Sequence, residues 1–323
     1  MDNKQFDVVA LGELLVDFTQ NGVSGQGNLL FEANPGGAPA NVLAMLRKLG
    51  KRCAFIGKVG KDSFGDMLAK TVEEAGIDIR GLRRDADIPT TLAVVHTFPN
   101  GDRDFSFYRK PGADILLRAD ELDEALLKDS RIFHFGTLSL TDEPCKSATV
   151  KAYELAKAAG ALISFDPNLR PPLWKSEADA KAAIEWGLAR CDILKISDNE
   201  IEFMTGETDF DKGAAILKER FPQIRLLNVT AGGDGSFSYY GDKRVFVPAC
   251  KLGGVIETTG AGDTFCASVL NFVLENGLDG LDEKDMTAML RFANTAAYIV
   301  TTKKGAIRSM PEREQVEELL KRI

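Results

Sequence analysis

The sequence predicts an α/β fold: a mainly parallel β-sheet covered by helices on both faces, with a small second β-sheet at its carboxyl edge. Three observations predict it. Short apolar runs alternate with amphipathic segments of helical period along most of the 323 residues. The apolar runs are continuous rather than alternating, as expected of strands buried on both faces. Two stretches break this rhythm with in–out alternation around turn signals.

FDVVAL (6–11) is the first buried strand, and APANVLAMLRKLG (38–50) is a helix ended by Gly50. RCAFIG (52–57) is the next strand, followed by helix FGDMLAKTVEEAG (64–76), again closed by glycine. The alternation resumes with strand RIFHFG (131–136), helix 144–159, strand ALISFD (161–166), strand DILKIS (192–197), helix 209–220 and strand IRLLNVT (224–230). The last third is mostly helical, over 262–276, 282–301 and 311–321. The two interruptions, about 14–34 and 91–109, read as a small antiparallel sheet, with Asn100-Gly101 the clearest hairpin signal. Inserted after early strands, that sheet lies where open α/β sheets bind ligands, the natural place for a lid. No internal repeat and no low-complexity linker divides the chain, so residues 1–323 read as one domain carrying this lid.

Composition narrows the function classes. Lys and Arg number 40 against 48 Asp and Glu, a net charge of −8 that offers no cationic face to nucleic acid or anionic lipid. An anion must then be held by a local device, such as a helix N-terminus. Cys53, Cys145, Cys191, Cys250 and Cys266 are scattered with no C-x-x-C pair, as in the reducing cytoplasm. The amino terminus runs straight into a strand, and no stretch approaches the roughly 18 apolar residues of a membrane span.

Several mechanisms lack their motifs. The sequence contains no P-loop, no dinucleotide G-x-G-x-x-G after a strand, no G-x-S-x-G and no H-E-x-x-H. Its two histidines are His96 and His134, and His134 sits inside an apolar strand as a structural residue.

ETTGAGDTFCASVLNFVL (257–274) is the most informative segment. Gly260-Ala261-Gly262 leads into a helix whose first turn holds Asp263 and Thr264, so backbone N–H groups converge on an anion. A carboxylate there repels phosphate, unless it faces a hydroxyl that loses its proton while attacking phosphorus. The plainer alternative is that Thr258, Thr259 and Asp263 only cap the helix. NPGGAPANV (34–42), SFDPNLRPPLW (164–174), LKISDNEIEF (194–203) and NVTAGGDGSF (228–237) are individually ordinary loops or capped helix starts. Together they crowd polar residues at the carboxyl ends of strands.

With these segments the chain resembles the ribokinase-like carbohydrate kinase family, most of all its fructokinase branch. GELLVDF, PGGAPANV, FYRKPGAD, FHFGTLSL, DPNLRPPLW, TTGAGD and the Thr230-x-Gly232-x-x-Gly235 turn carry the resemblance through essentially the whole chain. It implies a Rossmann-like core, a β-sheet lid and ATP-dependent phosphorylation of a sugar, fructose above others. Asp263 is then the general base and Gly260, Ala261 and Gly262 the anion hole. Asp17, Gly36, Gly37 and Asn41 hold sugar hydroxyls, with Arg109 and Asp114 from the lid side. Asn168, Arg170 and Lys195 face the phosphates, Glu200 organises Mg²⁺ through water, and Thr230, Gly232, Gly235 and Asn294 line the nucleotide pocket. Glu257 stands where the family usually has Asp; with Thr259, Lys303, Gly305 and Ser309 it outlines a K⁺ site.

Two other readings use the same residues: a kinase for another sugar or sugar acid, such as 2-keto-3-deoxygluconate, and a non-catalytic sugar-binding regulator. An intact Asp263 in an intact glycine cradle favours the enzyme. The exposed lid edge suits pairing with a second copy, so a homodimer is expected.

Overall fold

The computed structural model of the chain describes residues 4–97 and 103–323. In chain order the strands and helices begin β1 (Phe6–Leu11), β2 (Leu15–Val23), β3 (Leu29–Gly36), α1 (Ala38–Lys48), β4 (Cys53–Gly60), α2 (Ser63–Glu74) and β5 (Asp78–Asp85). Next come β6 (Leu92–Thr97), β7 (Arg103–Tyr108), α3 (Glu124–Lys128), β8 (Ser130–Phe135), α4 (Cys145–Ala158), β9 (Leu162–Phe165) and α5 (Glu177–Leu188). They continue with β10 (Ile193–Ser197), α6 (Asp198–Thr205), α7 (Phe210–Arg220), β11 (Leu226–Thr230), β12 (Gly235–Tyr240) and β13 (Lys243–Pro248). Finally come α8 (Ala261–Asn276), α9 (Glu283–Thr301) and α10 (Arg313–Leu320).

Nine strands form one sheet in the order β13-β12-β11-β10-β9-β8-β1-β4-β5. From β11 to β5 every pairing is parallel, and β12 and β13 add an antiparallel edge. β1 shows why the apolar runs are unbroken: Val8 and Ala10 pack into one apolar cluster and Val9 and Leu11 into another, on opposite faces. The first cluster takes residues from α1, α8 and α9, the second from α4, α5 and α7. His134 is 1% exposed, with its ring 2.9 Å from the Ser164 hydroxyl; burial lowers its pKa to about 3, so it is neutral. The expected structural histidine is borne out.

The second sheet runs β3-β2-β6-β7. It is mixed, not antiparallel throughout as expected: β2 and β6 are parallel, with Val16 opposite Leu92. Between them lie β3, α1, β4, α2 and β5: the chain leaves the small sheet along β3, antiparallel to β2, and after the crossover re-enters it along the direction of β2. The Asn100-Gly101 signal lies outside the described residues. β5, α3, α5 and the β12–β13 hairpin were not anticipated, and α6 was read only as a capped helix start. β5, DIRGLRRD, is a half-buried edge strand whose charges hide its period, and GSFSYY of β12 reads as a turn because it opens on glycine and serine.

Candidate functional site

A cavity of about 430 Å³ opens at the carboxyl ends of the central strands, with β2 and β7 of the small sheet contributing Leu15, Asp17 and Phe107 to its wall. Two glycines bring the chain to it. Gly37 has φ +121°, and a Cβ there would lie 2.3 Å from the Glu13 carbonyl oxygen; one on Gly36 would lie 2.2 Å from Asp17 Oδ2. The turn therefore presses against β2 and starts α1 with Asn41 aimed across the cavity. No side chain of Gly37 caps α1; Glu13 does so from another segment, Oε1 accepting the Ala38 N–H at 2.8 Å.

Asn41 Nδ2 donates to Asp263 Oδ2 at 2.8 Å, joining two segments 222 residues apart and leaving Asn41 Oδ1 a buried acceptor without a partner. Asp263 lies in the first turn of α8, which begins at Gly260 (φ +79°) with no side-chain cap. The capping alternative therefore does not hold: Asp263 is turned to Asn41. Burial raises the Asp263 pKa, while the Asn41 amide and the Lys195 and Arg170 cations oppose that shift. Burial likewise pushes Asp17 and Glu13 up to about 7.

Opposite stands a cation. Lys195 of β10 is 7% exposed and ion-pairs with Asp166 at 3.1 Å, just beyond the end of β9. A Cβ on Gly262 would lie 3.2 Å from Lys195 Nζ, which sets the ammonium beside the first turn of α8. Burial opposes the Lys195 charge, but Asp166, Glu200 and Asp263 outweigh it and keep the amine protonated. Asp166 Oδ1 also accepts the Asn168 N–H at 3.2 Å, and Asn168 has φ +45°, a left-handed turn that asparagine tolerates. Glu200 accepts the N–H groups of Ser197 and Leu169, both at 2.8 Å, tying α6 to the Asn168–Arg170 loop.

Of the residues expected from sequence, Asp17, Gly37, Asn41, Asn168, Arg170, Lys195, Glu200, Thr230, Gly232, Thr259, Gly260, Gly262 and Asp263 line this one cavity. Gly36 underlies it. Ala261 is the first residue of α8 but not part of the wall. Arg109 and Asp114 form a buried ion pair at 2.6 Å behind it, Arg109 also donating to the Leu138 carbonyl and facing a second cavity. Asn294 lies in a third cavity with Pro248, Cys250 and Leu252, its amide donating to the carbonyls of Val247 and Pro248. Gly235 (φ +130°) makes the adjoining bend into β12.

Glu257 is buried just outside the cavity wall, accepting from the Thr259 hydroxyl and, at 3.2 Å, from the Gly305 N–H. Ser309 donates its hydroxyl to the Lys304 carbonyl, and the Lys303 N–H closes the end of α9 on Val300. Glu13, Phe107 and Leu138 line the cavity without having been singled out, Thr258 was read only as a cap, and Asp166 was read only as a strand-end residue. Glu13 sits inside GELLVDF, between apolar residues that draw attention to the strand instead.

The profile described as pfkB family carbohydrate kinase matches residues 5–313. A probable fructokinase-2 of Arabidopsis thaliana is 44% identical over 312 residues, which cover 96% of this chain and 94% of the relative. Among solved structures, a fructokinase with bound ATP from Xylella fastidiosa superposes with a TM-score of 0.89 at 30% identity, covering 98% of each chain. A fructokinase from Vibrio cholerae O395 in a fructose-, ADP- and calcium-ion-bound form gives 0.86 at 29%, covering 98% of this chain and 99% of that one.

Proposed function

The chain belongs to the pfkB family of carbohydrate kinases, and from that premise we propose that it transfers the terminal phosphoryl group of ATP to a hydroxyl of D-fructose, giving fructose 6-phosphate and ADP. The observation that carries the chemistry is the buried Asp263 carboxylate in the uncapped first turn of α8, with Asn41 on one side and the Lys195 cation on the other. Asp263 takes the proton of the attacking hydroxyl, and its raised pKa makes it the stronger base. The Gly260–Gly262 turn receives the charge that develops on the phosphoryl oxygens.

Asp17, Gly36, Gly37 and Asn41 hold sugar hydroxyls, with Asp17, Gly37 and Asn41 in the cavity wall. Asn168, Arg170 and Lys195 face the phosphates. Thr230, Gly232, Gly235 and Asn294 line the nucleotide's path. Arg109 and Asp114 brace the wall through their mutual pair rather than from the cavity itself. A coupled ADP-release assay over fructose, glucose, ribose, tagatose and 2-keto-3-deoxygluconate tests the substrate. Fructose is expected to give the highest kcat/KM; a sugar acid ahead by about tenfold, or 1.4 kcal/mol, removes fructose and leaves the class.

Mg²⁺ fits as an ion carried by the phosphates. Glu200 already accepts two N–H groups, and among the described residues no three His, Cys, Asp or Glu side chains gather to hold a metal alone. Bound there, it would neutralise phosphate charge, and Glu200 would be the residue to hold it, through water. The buried Glu257 carboxylate, with carbonyls of the Lys303–Gly305 loop, has the oxygen donors that K⁺ takes. Replacing KCl by a tetramethylammonium salt at equal ionic strength is expected to slow turnover, and an unchanged rate removes this ion.

The small sheet acts as the lid. Hydrogen exchange over Leu15–Gly36 is expected to slow when fructose bridges it to the core, and equal exchange means a fixed sheet. Its exposed Val23, Leu29, Leu30, Phe31 and Tyr108 suit burial against a second copy, so light scattering should give twice the chain mass. The five unpaired cysteines suit a reducing cytoplasm, and among the described residues no helix is long and apolar enough to cross a membrane.

A further inference from the structure

We propose that Asn34 is a positioning residue for phosphoryl transfer: it seats the small sheet on the turn 304–306, so that the sugar lid and the anion hole at Gly260 act as one unit and each substrate tightens the other. The inference deepens the sugar-kinase reading and rests on it.

The turn follows α9 and touches both sides of the site. On the lid side, Lys304 Nζ donates to Asn21 Oδ1 of β2 at 2.9 Å. Asn34 of β3 closes over the next residue, because a Cβ on Gly305 would lie 3.1 Å from Asn34 Oδ1. Gly305 is buried and has φ +75°, so the turn meets Asn34 in a backbone conformation that favours glycine. On the core side, the Gly305 N–H donates to Glu257 Oε2 at 3.2 Å, and the Thr259 hydroxyl donates to Glu257 Oε1. A Cβ on Gly260 would lie 2.8 Å from the Cβ of Ala306. Three consecutive residues therefore meet β2, β3 and the residue that starts α8.

Strand register carries this line to the sugar. Asn34 stands directly opposite Asp17 in the β2–β3 pair, and Asp17 lies in the cavity wall. A sugar that draws Asp17 inward brings Asn34 and Asn21 down on the turn, and the turn bears on Glu257 and Gly260. Whatever affinity fructose adds for ATP, ATP must then return to fructose. Asn34 contributes little to the small sheet itself: its Nδ2 reaches Thr19 Oγ1 at 3.4 Å and the Glu32 carbonyl at 3.5 Å, both long for hydrogen bonds.

The test is Asn34→Ala, with β,γ-imido-ATP as a nucleotide that is not turned over and calorimetry as the readout. In the parent protein, saturating fructose is expected to tighten the analogue about 5- to 150-fold, the usual span of coupling between two sites. In the variant that factor should fall about 2- to 30-fold, toward no coupling. The affinity for the analogue without sugar and the melting temperature should stay parental. Asn21→Ala, which cuts the exposed Lys304 contact, should lower the factor in the same direction, and it decides the matter if Asn34→Ala melts early. A factor that survives in the folded variants overturns the inference, as does a parent that binds fructose without coupling. Hydrogen exchange supplies an arm that needs no sugar: the analogue alone should slow exchange over Leu15–Gly36 in the parent and not in Asn34→Ala. Equal protection in both proteins overturns the inference. A parent that binds no fructose yet shows this Asn34-dependent protection loses fructose as its substrate and keeps the coupling.

Discussion

Asp263→Asn is expected to leave a folded protein that binds ATP and fructose but transfers phosphate about 10²–10⁴ times more slowly, the range for losing a positioned general base. Asparagine keeps the size and an oxygen for the Asn41 Nδ2 donor now 2.8 Å from Oδ2, so the tie between α1 and α8 survives. α8 loses no cap, because Gly260 starts it without one. ATP should bind no more weakly and somewhat tighter, since a buried negative charge beside the anion site has gone. The pH profile gives a second readout. The base works only when ionised and burial raises its pKa, so parental turnover falls as the medium is made acidic through that pKa. The limb should vanish in the variant. Turnover, ATP affinity and melting temperature belong on one preparation. Near-normal turnover refutes the base assignment, and a collapsed melting temperature makes Asp263 a structural residue instead.

The site residues legible in the sequence were legible only as a set. A carboxylate after Gly-Ala-Gly at a helix start, and Asn41 after a double glycine, each have a plain folding reading as a cap or loop, and they point to a site only when taken together with the other strand-end segments. The parallel core was legible more directly, since continuous apolar strands have no other use. Arg109 and Asp114 looked equally functional in FYRKPGAD, yet their charges serve each other. Sequence supplies a charged residue's type but not its partner, and the partner decides whether it faces a ligand or a neighbour. Glu13 and Asp166 show the converse. Each stands at a strand end and reads as the point where the strand stops, and only the fold turns Glu13 toward Ala38 and Asp166 toward Lys195. The mixed pairing of the small sheet was hidden likewise, because β2 and β6 meet only after an intervening crossover.

Adjacent glycines separate chemistry from folding. In Gly36→Ala the new Cβ lands 2.2 Å from Asp17 Oδ2, the far end of a side chain that can swing away. The fold should survive and the acceptor site should not. KM for fructose is expected to rise roughly 10- to 100-fold as a charged hydrogen-bond partner is displaced, with little change in melting temperature. In Gly37→Ala the Cβ lands 2.3 Å from the Glu13 carbonyl oxygen and 3.2 Å from Leu14 Cα, both backbone, at φ +121°. Nothing there can swing. Backbone strain of about 1–3 kcal/mol adds to overpacking of similar size, a large part of the roughly 5–15 kcal/mol that holds a domain folded. Gly37→Ala should therefore lower the melting temperature by about 5 °C or more and weaken fructose and ATP use together, because β2, α1 and Asn41 move as one. If Gly36→Ala instead melts early while Gly37→Ala stays cold-stable and loses only fructose affinity, the two glycines have been given each other's roles, and Asp17 is not pressed into the acceptor site by Gly36.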